Sequence, residues 1–258
     1  MKKSILLFCL LSLFSSPAWA AGDILIAAAA DLQFAMDDVA KAFREEHPRI
    51  GVKVSYGSSG NFFTQIRQGA PFDLYFSADL KYTEMLEAEG FAATPPKLYA
   101  VGRIVLWTRK DSGLDPTRGL ELVNDPAVRR FAIANPAHAP YGVRAREALM
   151  HYGHWDQVQP KLVFGENISQ TAQFVQTGNA QAGILALSLA MAPALKDGHY
   201  YLIPEEAHLP LEQAFIVTRR ARDNPAAKLF AEFVAGEQAR AILAEYGFVL
   251  PTQPVQGQ

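Results

Sequence analysis

Lys97-Leu98-Tyr99-Ala100-Val101-Gly102-Arg103-Ile104-Val105-Leu106-Trp107 reads as one unbroken β-prone run, longer than the typical strand of about 5–6 residues. A second long run, Leu211-Glu212-Gln213-Ala214-Phe215-Ile216-Val217-Thr218, lies far downstream. Ahead of the first run, short strands alternate with helices. Asp23-Ile24-Leu25-Ile26-Ala27-Ala28 has the pattern of a buried strand, and Leu32, Ala35, Met36, Val39, Ala40 and Phe43 then recur at helical spacing. Gly51-Val52-Lys53-Val54-Ser55-Tyr56 alternates as a strand, and after Gly57-Ser58-Ser59-Gly60 comes a helix through Phe63 and Ile66. Asp73-Leu74-Tyr75-Phe76 is a third strand, followed at Ser77-Ala78-Asp79 by a helix to Leu86. Between the long runs the alternation resumes: strand Phe131-Ala132-Ile133-Ala134, helices 141–151 and 168–177, strand Ala182-Gly183-Ile184-Leu185. Two helices, 225–235 and 238–246, close the chain before a polar tail from Pro251 to Gln258.

Alternating strands and helices imply right-handed crossovers and mostly parallel sheets. An α/β lobe, a long strand, a second α/β lobe and a long strand back describe two lobes joined by two crossing strands. Each lobe is then a mixed, mostly parallel sheet flanked by helices. Lobe one takes residues 21–101 and 212–258, and lobe two takes 102–211. Such a molecule can close as a clamp on a ligand. A single larger doubly wound domain accommodates the same pattern.

The N-terminus reads as an export signal. Lys2 and Lys3 are followed by an apolar run over 5–14 and by the small-x-small site Ala18-Trp19-Ala20. That run is shorter than the roughly 20 residues a membrane helix needs. Residues 1–20 are therefore expected to be removed and the protein to reside in the periplasm. The one cysteine, Cys9, leaves with them, so no disulfide or thiolate site is expected. Of 258 residues, 50% are hydrophobic and 19% charged, which excludes a disordered chain. The net charge of −2 becomes −4 once Lys2 and Lys3 are gone, leaving 22 basic against 26 acidic residues. Nucleic-acid binding, which leaves a basic footprint, is excluded as well.

In open α/β sheets, ligands bind at the carboxyl ends of strands, where helix N-termini present unpaired N–H groups. Four strand-to-helix turns have this character: Ala30-Asp31, Ser58-Ser59-Gly60, Pro140-Tyr141-Gly142 and Glu166-Asn167-Ile168. Ser58 or Ser59 can cap its helix and still leave donors for an anion. Any one of these turns reads equally well as an ordinary cap; two from each lobe make the set informative. Enzymatic signatures are weak. Gly57-Ser58-Ser59-Gly60 does not fit the nucleophile elbow, no base lies near Ser59 in sequence, and no P-loop is present. His151 and His154, three apart, read as sharing one helix and as solvated side chains before a metal pair, and the other histidines have no metal-ligand spacing.

At the same four turns the chain resembles the periplasmic molybdate-binding proteins of ABC importers. The matching stretches are Ala27-Ala28-Ala29-Ala30-Asp31-Leu32, Tyr56-Gly57-Ser58-Ser59-Gly60, and Gly69-Ala70-Pro71-Phe72-Asp73-Leu74-Tyr75-Phe76-Ser77-Ala78-Asp79. Asn135-Pro136, Pro140-Tyr141-Gly142, Glu166-Asn167-Ile168, Gly183-Ile184-Leu185 and Tyr246-Gly247-Phe248 continue it in order, so the resemblance spans the mature chain. It implies the two-lobed type II binding-protein fold. It also implies a monomeric, non-enzymatic receptor that binds molybdate or tungstate in the interlobe cleft, needs no cofactor and delivers to a membrane permease. Neutral donors would hold the oxyanion, with no protein ligand on the metal itself. Carried over by position, Ala30 and Asp31 form the first turn, Ser58 and Ser59 the second, with Ser59 giving hydroxyl and main-chain donors. Tyr141 and Ile168 give main-chain donors from lobe two. Selectivity over sulfate would come from cavity size.

Two positions depart from that pattern. Asp31 stands where the family usually has serine or asparagine, and Ala186 where some members carry a tyrosine whose hydroxyl Tyr141 would replace. An ionised carboxylate facing a dianion in a closed site is unfavourable by several kcal/mol. Asp31 therefore caps its own helix, is protonated and donates, or accepts a proton from a protonated oxyanion. The last choice keeps open a receptor for another tetrahedral anion, such as phosphate or chromate.

Overall fold

The computed structural model describes residues 22–251; the leader 1–20 with Cys9, and the tail past 251, lie outside the described residues. β1 (Ile24–Ala29) is followed by α1 (Gln33–Glu46), β2 (Val52–Gly57), α2 (Ser59–Arg67), β3 (Leu74–Ser77), α3 (Leu80–Ala88), β4 (Lys97–Gly102) and β5 (Ile104–Arg109). Next come β6 (Phe131–Ala134), α4 (Pro140–His151), α5 (Trp155–Val158), β7 (Leu162–Gly165), α6 (Ile168–Gln176), β8 (Ala182–Ala186) and α7 (Leu187–Ala190). β9 (Gly198–Leu202), β10 (Leu211–Val217), α8 (Pro225–Ala235) and α9 (Glu237–Glu245) complete the order. Among the described residues no helix is long and apolar enough to cross a membrane.

The strands form two five-stranded sheets, β2-β1-β3-β10-β4 and β7-β6-β8-β5-β9. In the first, β1 pairs in parallel with β2 and β3, while β10 runs antiparallel to β3 and β4. The second repeats the scheme: β6 is parallel to β7 and β8, and β5 is antiparallel to β8 and β9. β1 and β6 are central, which is why they read as continuous small apolar runs with no polar face. β7 and β9 are half-exposed edges, so their sequences carry little period and their strand character is not evident in the sequence.

The run Lys97–Trp107 is divided at Arg103. Its first half pairs with β10 in sheet one and its second half with β8 and β9 in sheet two. One strand cannot satisfy two sheets of different orientation, so the ladder stops for one residue while the chain crosses. The return crosses through 203–210, with a 3₁₀ turn at Glu205–Ala207, before β10 joins sheet one. An ion pair between Arg103 and Glu205 (2.5 Å) ties the two crossings together. The apolar core of the second lobe extends across the cleft to Ala29, Ala30 and Ala78 of the first. The lobes are in the closed arrangement.

Candidate functional site

Four chain turns converge where the lobes meet. A narrow cavity between them is lined by Ala30, Asp31, Ser58, Ser59, Tyr141 and Ile168 together with Ala29, Gly57, Ala78, Ala139 and Pro140. All six residues singled out in the sequence are thus brought to one place. No lysine or arginine lines it.

Each wall follows from local sequence. Ala29 at the end of β1 and Ala30 after it carry only methyl groups, and the chain turns there through a 3₁₀ segment, Ala30–Leu32, directly into α1. Ser58 and Ser59 open α2, whose first N–H groups have no intrahelical partner. Pro140, at the first helical position of α4, has no N–H to leave unpaired, and it fixes the entry of Tyr141. Asn167 caps α6 by accepting from the Gln170 N–H (2.9 Å), and Ile168, the first residue of that helix, lines the cavity. An apolar side chain at such a place leaves any polar contact to the backbone.

The hydroxyls divide the work. Ser59 Oγ accepts from the Ala78 N–H (3.0 Å), and the Tyr75 hydroxyl donates to the Ser59 carbonyl (2.8 Å). Ser59 Oγ donates to no group among the described residues, so its proton is free to donate. Ser58 does not cap α2 with its side chain; its Oγ lies 2.9 Å from His138 Nδ1, across the cleft. His138 Nε2 in turn lies 3.4 Å from the Glu166 carboxylate. A base therefore does stand at this turn, on Ser58 and not on Ser59. Sequence proximity missed it because 80 positions separate the partners. The Gly60 N–H donates to the His138 carbonyl (2.9 Å), a second interlobe bond. A β-carbon at Gly60 would sit 2.7 Å from that carbonyl oxygen, so only glycine permits this approach.

Asp31 is 1% exposed and does not cap its own helix. Its Oδ2 accepts from the Tyr141 hydroxyl (3.0 Å) and from Gln213 Nε2 (2.7 Å). Gln213 Nε2 also donates to the Tyr141 oxygen (3.1 Å), and its Oε1 accepts from the Tyr99 hydroxyl (2.6 Å). The main-chain carbonyl of Asp31 accepts from the Ser188 hydroxyl (2.7 Å). Oδ1 has no partner. Burial pushes the Asp31 carboxyl up to about 6, against the lowering effect of Gln213, Tyr141 and the nearby N–H groups of Asp31 and Leu32. Burial and the Asp31 charge raise the Tyr141 hydroxyl well above its usual value, and burial does the same to Tyr99, so both remain donors.

Tyr141 therefore does not aim its hydroxyl at the cavity in place of a family tyrosine; the hydroxyl is committed to Asp31. Gln213, Tyr99, Ser188 and His138 belong to the site's surroundings and are absent from the sequence expectation. Their only sequence signal is that Gln213 is a polar residue inside a β-prone run, with the side chain fully buried. His151 and His154 do not share a helix: His151 ends α4 and His154 follows the turn at Gly153.

A model of the family described as bacterial extracellular solute-binding protein matches residues 24–249. The molybdate-binding protein ModA of Azotobacter vinelandii is 35% identical over 234 residues, covering 89% of this chain and 91% of that protein. ModA of Rhodobacter capsulatus is 34% identical over 231 residues, with 89% of each chain covered. The solved Azotobacter vinelandii periplasmic molybdate-binding protein superposes with a TM-score of 0.82 at 30% identity, over 89% of this chain and 100% of that one. With a family match over residues 24–249 and a two-lobed fold closing on a donor-lined cavity, the chain belongs to the bacterial extracellular solute-binding proteins.

Proposed function

We propose that this protein is the substrate-binding component of an ABC importer and takes one molybdate or tungstate ion into the interlobe cavity. The observation that carries this is the composition of the cavity wall: helix starts from both lobes, a free Ser59 proton, and no basic side chain. Oriented neutral dipoles can hold a dianion when water is excluded, because their field is unscreened there. The molybdate-binding proteins at 35% and 34% identity support the choice of anion. A net charge of −4 after processing is compatible with such a site, since these donors act at contact distance and the overall charge acts at long range.

The role is capture and delivery. Ser59, the main chain at Asp31, Tyr141 and Ile168, and the closing lobes surround the anion and present a closed surface to a membrane permease, from the periplasm and as a monomer. No cofactor and no direct protein ligand to the metal enter this reading. The chain Ser58–His138–Glu166 bridges the lobes and fastens the closed form. Ester turnover lost in Ser58→Ala would instead make it hydrolytic.

Calorimetric and thermal-shift titrations with molybdate, tungstate, chromate, sulfate and phosphate test the proposal. At about 1,000-fold excess over Kd, a bound anion stabilises the fold by roughly 4 kcal/mol. Molybdate and tungstate are expected to do so and sulfate is not, because a closed dipole shell does not contract onto a smaller anion. Absence of any response to all five anions overturns the reading.

A further inference from the structure

The unpartnered oxygen of Asp31 has a consequence for what the cavity takes in. Hydrogen-bond direction around this carboxyl is fixed from outside. Tyr99 donates to Gln213 Oε1, which turns Gln213 Nε2 toward Asp31; Gln213 Nε2 donates to the Tyr141 oxygen, which leaves the Tyr141 proton for Asp31. Oδ2 thus receives two donors and has no room for a proton of its own. Oδ1 is buried and has no partner, and Asp31 lines the cavity.

Resting on the oxyanion reading above, we infer that Asp31 Oδ1 and the bound oxyanion share one proton, so that the site takes up its anion together with a proton. A dianion beside an ionised Asp31 puts three negative charges in a closed cavity with no basic residue on its wall. One proton between Oδ1 and a ligand oxygen reduces this to two and turns the one unsatisfied acceptor into a hydrogen bond. The proton comes from solvent when the anion arrives fully ionised, and with the ligand when the anion arrives protonated. The bound complex is the same in both cases.

The groups facing Asp31 are consistent with this assignment. Tyr141 on α4, Gln213 on β10, Ser188 on α7 and, through Gln213, Tyr99 on β4 are all neutral donors, and both tyrosines stay protonated. His138, with Glu166 behind it, meets the opposite wall through Ser58. Among the described residues no cation pairs with Asp31. The Asp31 carboxyl, already displaced upward by burial, is near enough to neutrality for an arriving anion to complete the protonation.

The experiment is calorimetric titration of the wild type, Asp31→Asn and His138→Gln with sodium molybdate from pH 6 to 9, in pairs of buffers with different ionisation enthalpies. Molybdate carries no proton at pH 8, so proton uptake there comes from solvent. The wild type is expected to take up close to one proton per molybdate at pH 8 and to lose about tenfold in affinity per pH unit. Asp31→Asn, whose amide supplies a donor in the same place, is expected to take up none and to bind at pH 8 at least tenfold tighter. Asp31→Ser repeats the comparison if the amide disturbs folding. Binding by the wild type without proton uptake overturns the inference and leaves the oxyanion reading standing. Uptake that survives in Asp31→Asn but vanishes in His138→Gln assigns the proton to His138 and also overturns it. If neither wild type nor Asp31→Asn binds molybdate at any pH, the choice of molybdate in the reading above fails and this inference with it.

Discussion

Tyr141, in the first turn of a lobe-two helix, donates its hydroxyl proton across the cleft to Asp31 Oδ2 of lobe one at 3.0 Å. Both side chains are buried, and because the bond joins the two lobes it links ligand-site chemistry to domain closure. Removing it in Tyr141→Phe also deprives Gln213 Nε2 of one acceptor. A buried hydrogen bond to a charged or acidic partner contributes about 1.5 kcal/mol or more, roughly tenfold in Kd. Molybdate affinity of Tyr141→Phe is expected to fall by about that factor with secondary structure unchanged, and a loss under twofold in calorimetry would show that the bond does not support closure.

Ser59 has the more direct role. Its Oγ accepts from the Ala78 N–H and donates to no group among the described residues, which leaves its proton for a ligand in the cavity that Ser59 lines. Ser59→Ala removes the donor and leaves the Ala78 N–H unpaired. The combined effect on oxyanion binding is about 2 kcal/mol, roughly 30-fold in Kd, measurable by equilibrium dialysis or calorimetry. Ser58→Ala, whose hydroxyl engages His138, serves as the comparison.

Gly60→Ala separates folding from closure. Alanine favours a helix over glycine by up to about 1 kcal/mol, and Gly60 lies inside α2. Its β-carbon would nonetheless meet the His138 carbonyl at 2.7 Å and the Tyr82 hydroxyl at 2.9 Å. The first is main chain of the other lobe and yields only if the lobes part. Helical content by circular dichroism should be kept while molybdate affinity drops tenfold or more, with a larger radius of gyration in small-angle scattering of the ligand-saturated sample.

The raised Asp31 carboxyl also predicts how stability depends on pH. In the unfolded chain this group titrates near 3.8, and in the closed fold near 6. The fold therefore binds more protons than the unfolded chain between those values, and its stability declines as pH rises through that window. The decline is on the order of 3 kcal/mol for a shift of about two units. Urea denaturation of ligand-free protein at pH 4, 5, 6 and 7 should show this slope, and Asp31→Asn should flatten it. A wild-type stability that rises from pH 4 to 6 in excess of the variant's has the wrong sign for this assignment.

What the sequence by itself determined was the local structure: the strands before the turns at Ala30, Ser58 and Pro140, the helices after the turns, and the turns themselves at Ala30, Ser58, Pro140 and Ile168. These follow from side-chain period and from Pro, Gly, Ser and Asn at chain reversals, properties set by neighbours a few positions apart. The division of Lys97–Trp107 at Arg103, and the edge strands β7 and β9, needed the pairing partners to be known. Only the tertiary structure decided the environment of Asp31. Its bonds to Tyr141 and Gln213 span 110 and 182 positions, and His138 reaches Ser58 across 80. Local periodicity carries no information about such pairs, because they are made by two lobes closing on each other and by β10 returning beside β4 to put Gln213 and Tyr99 at the same cleft.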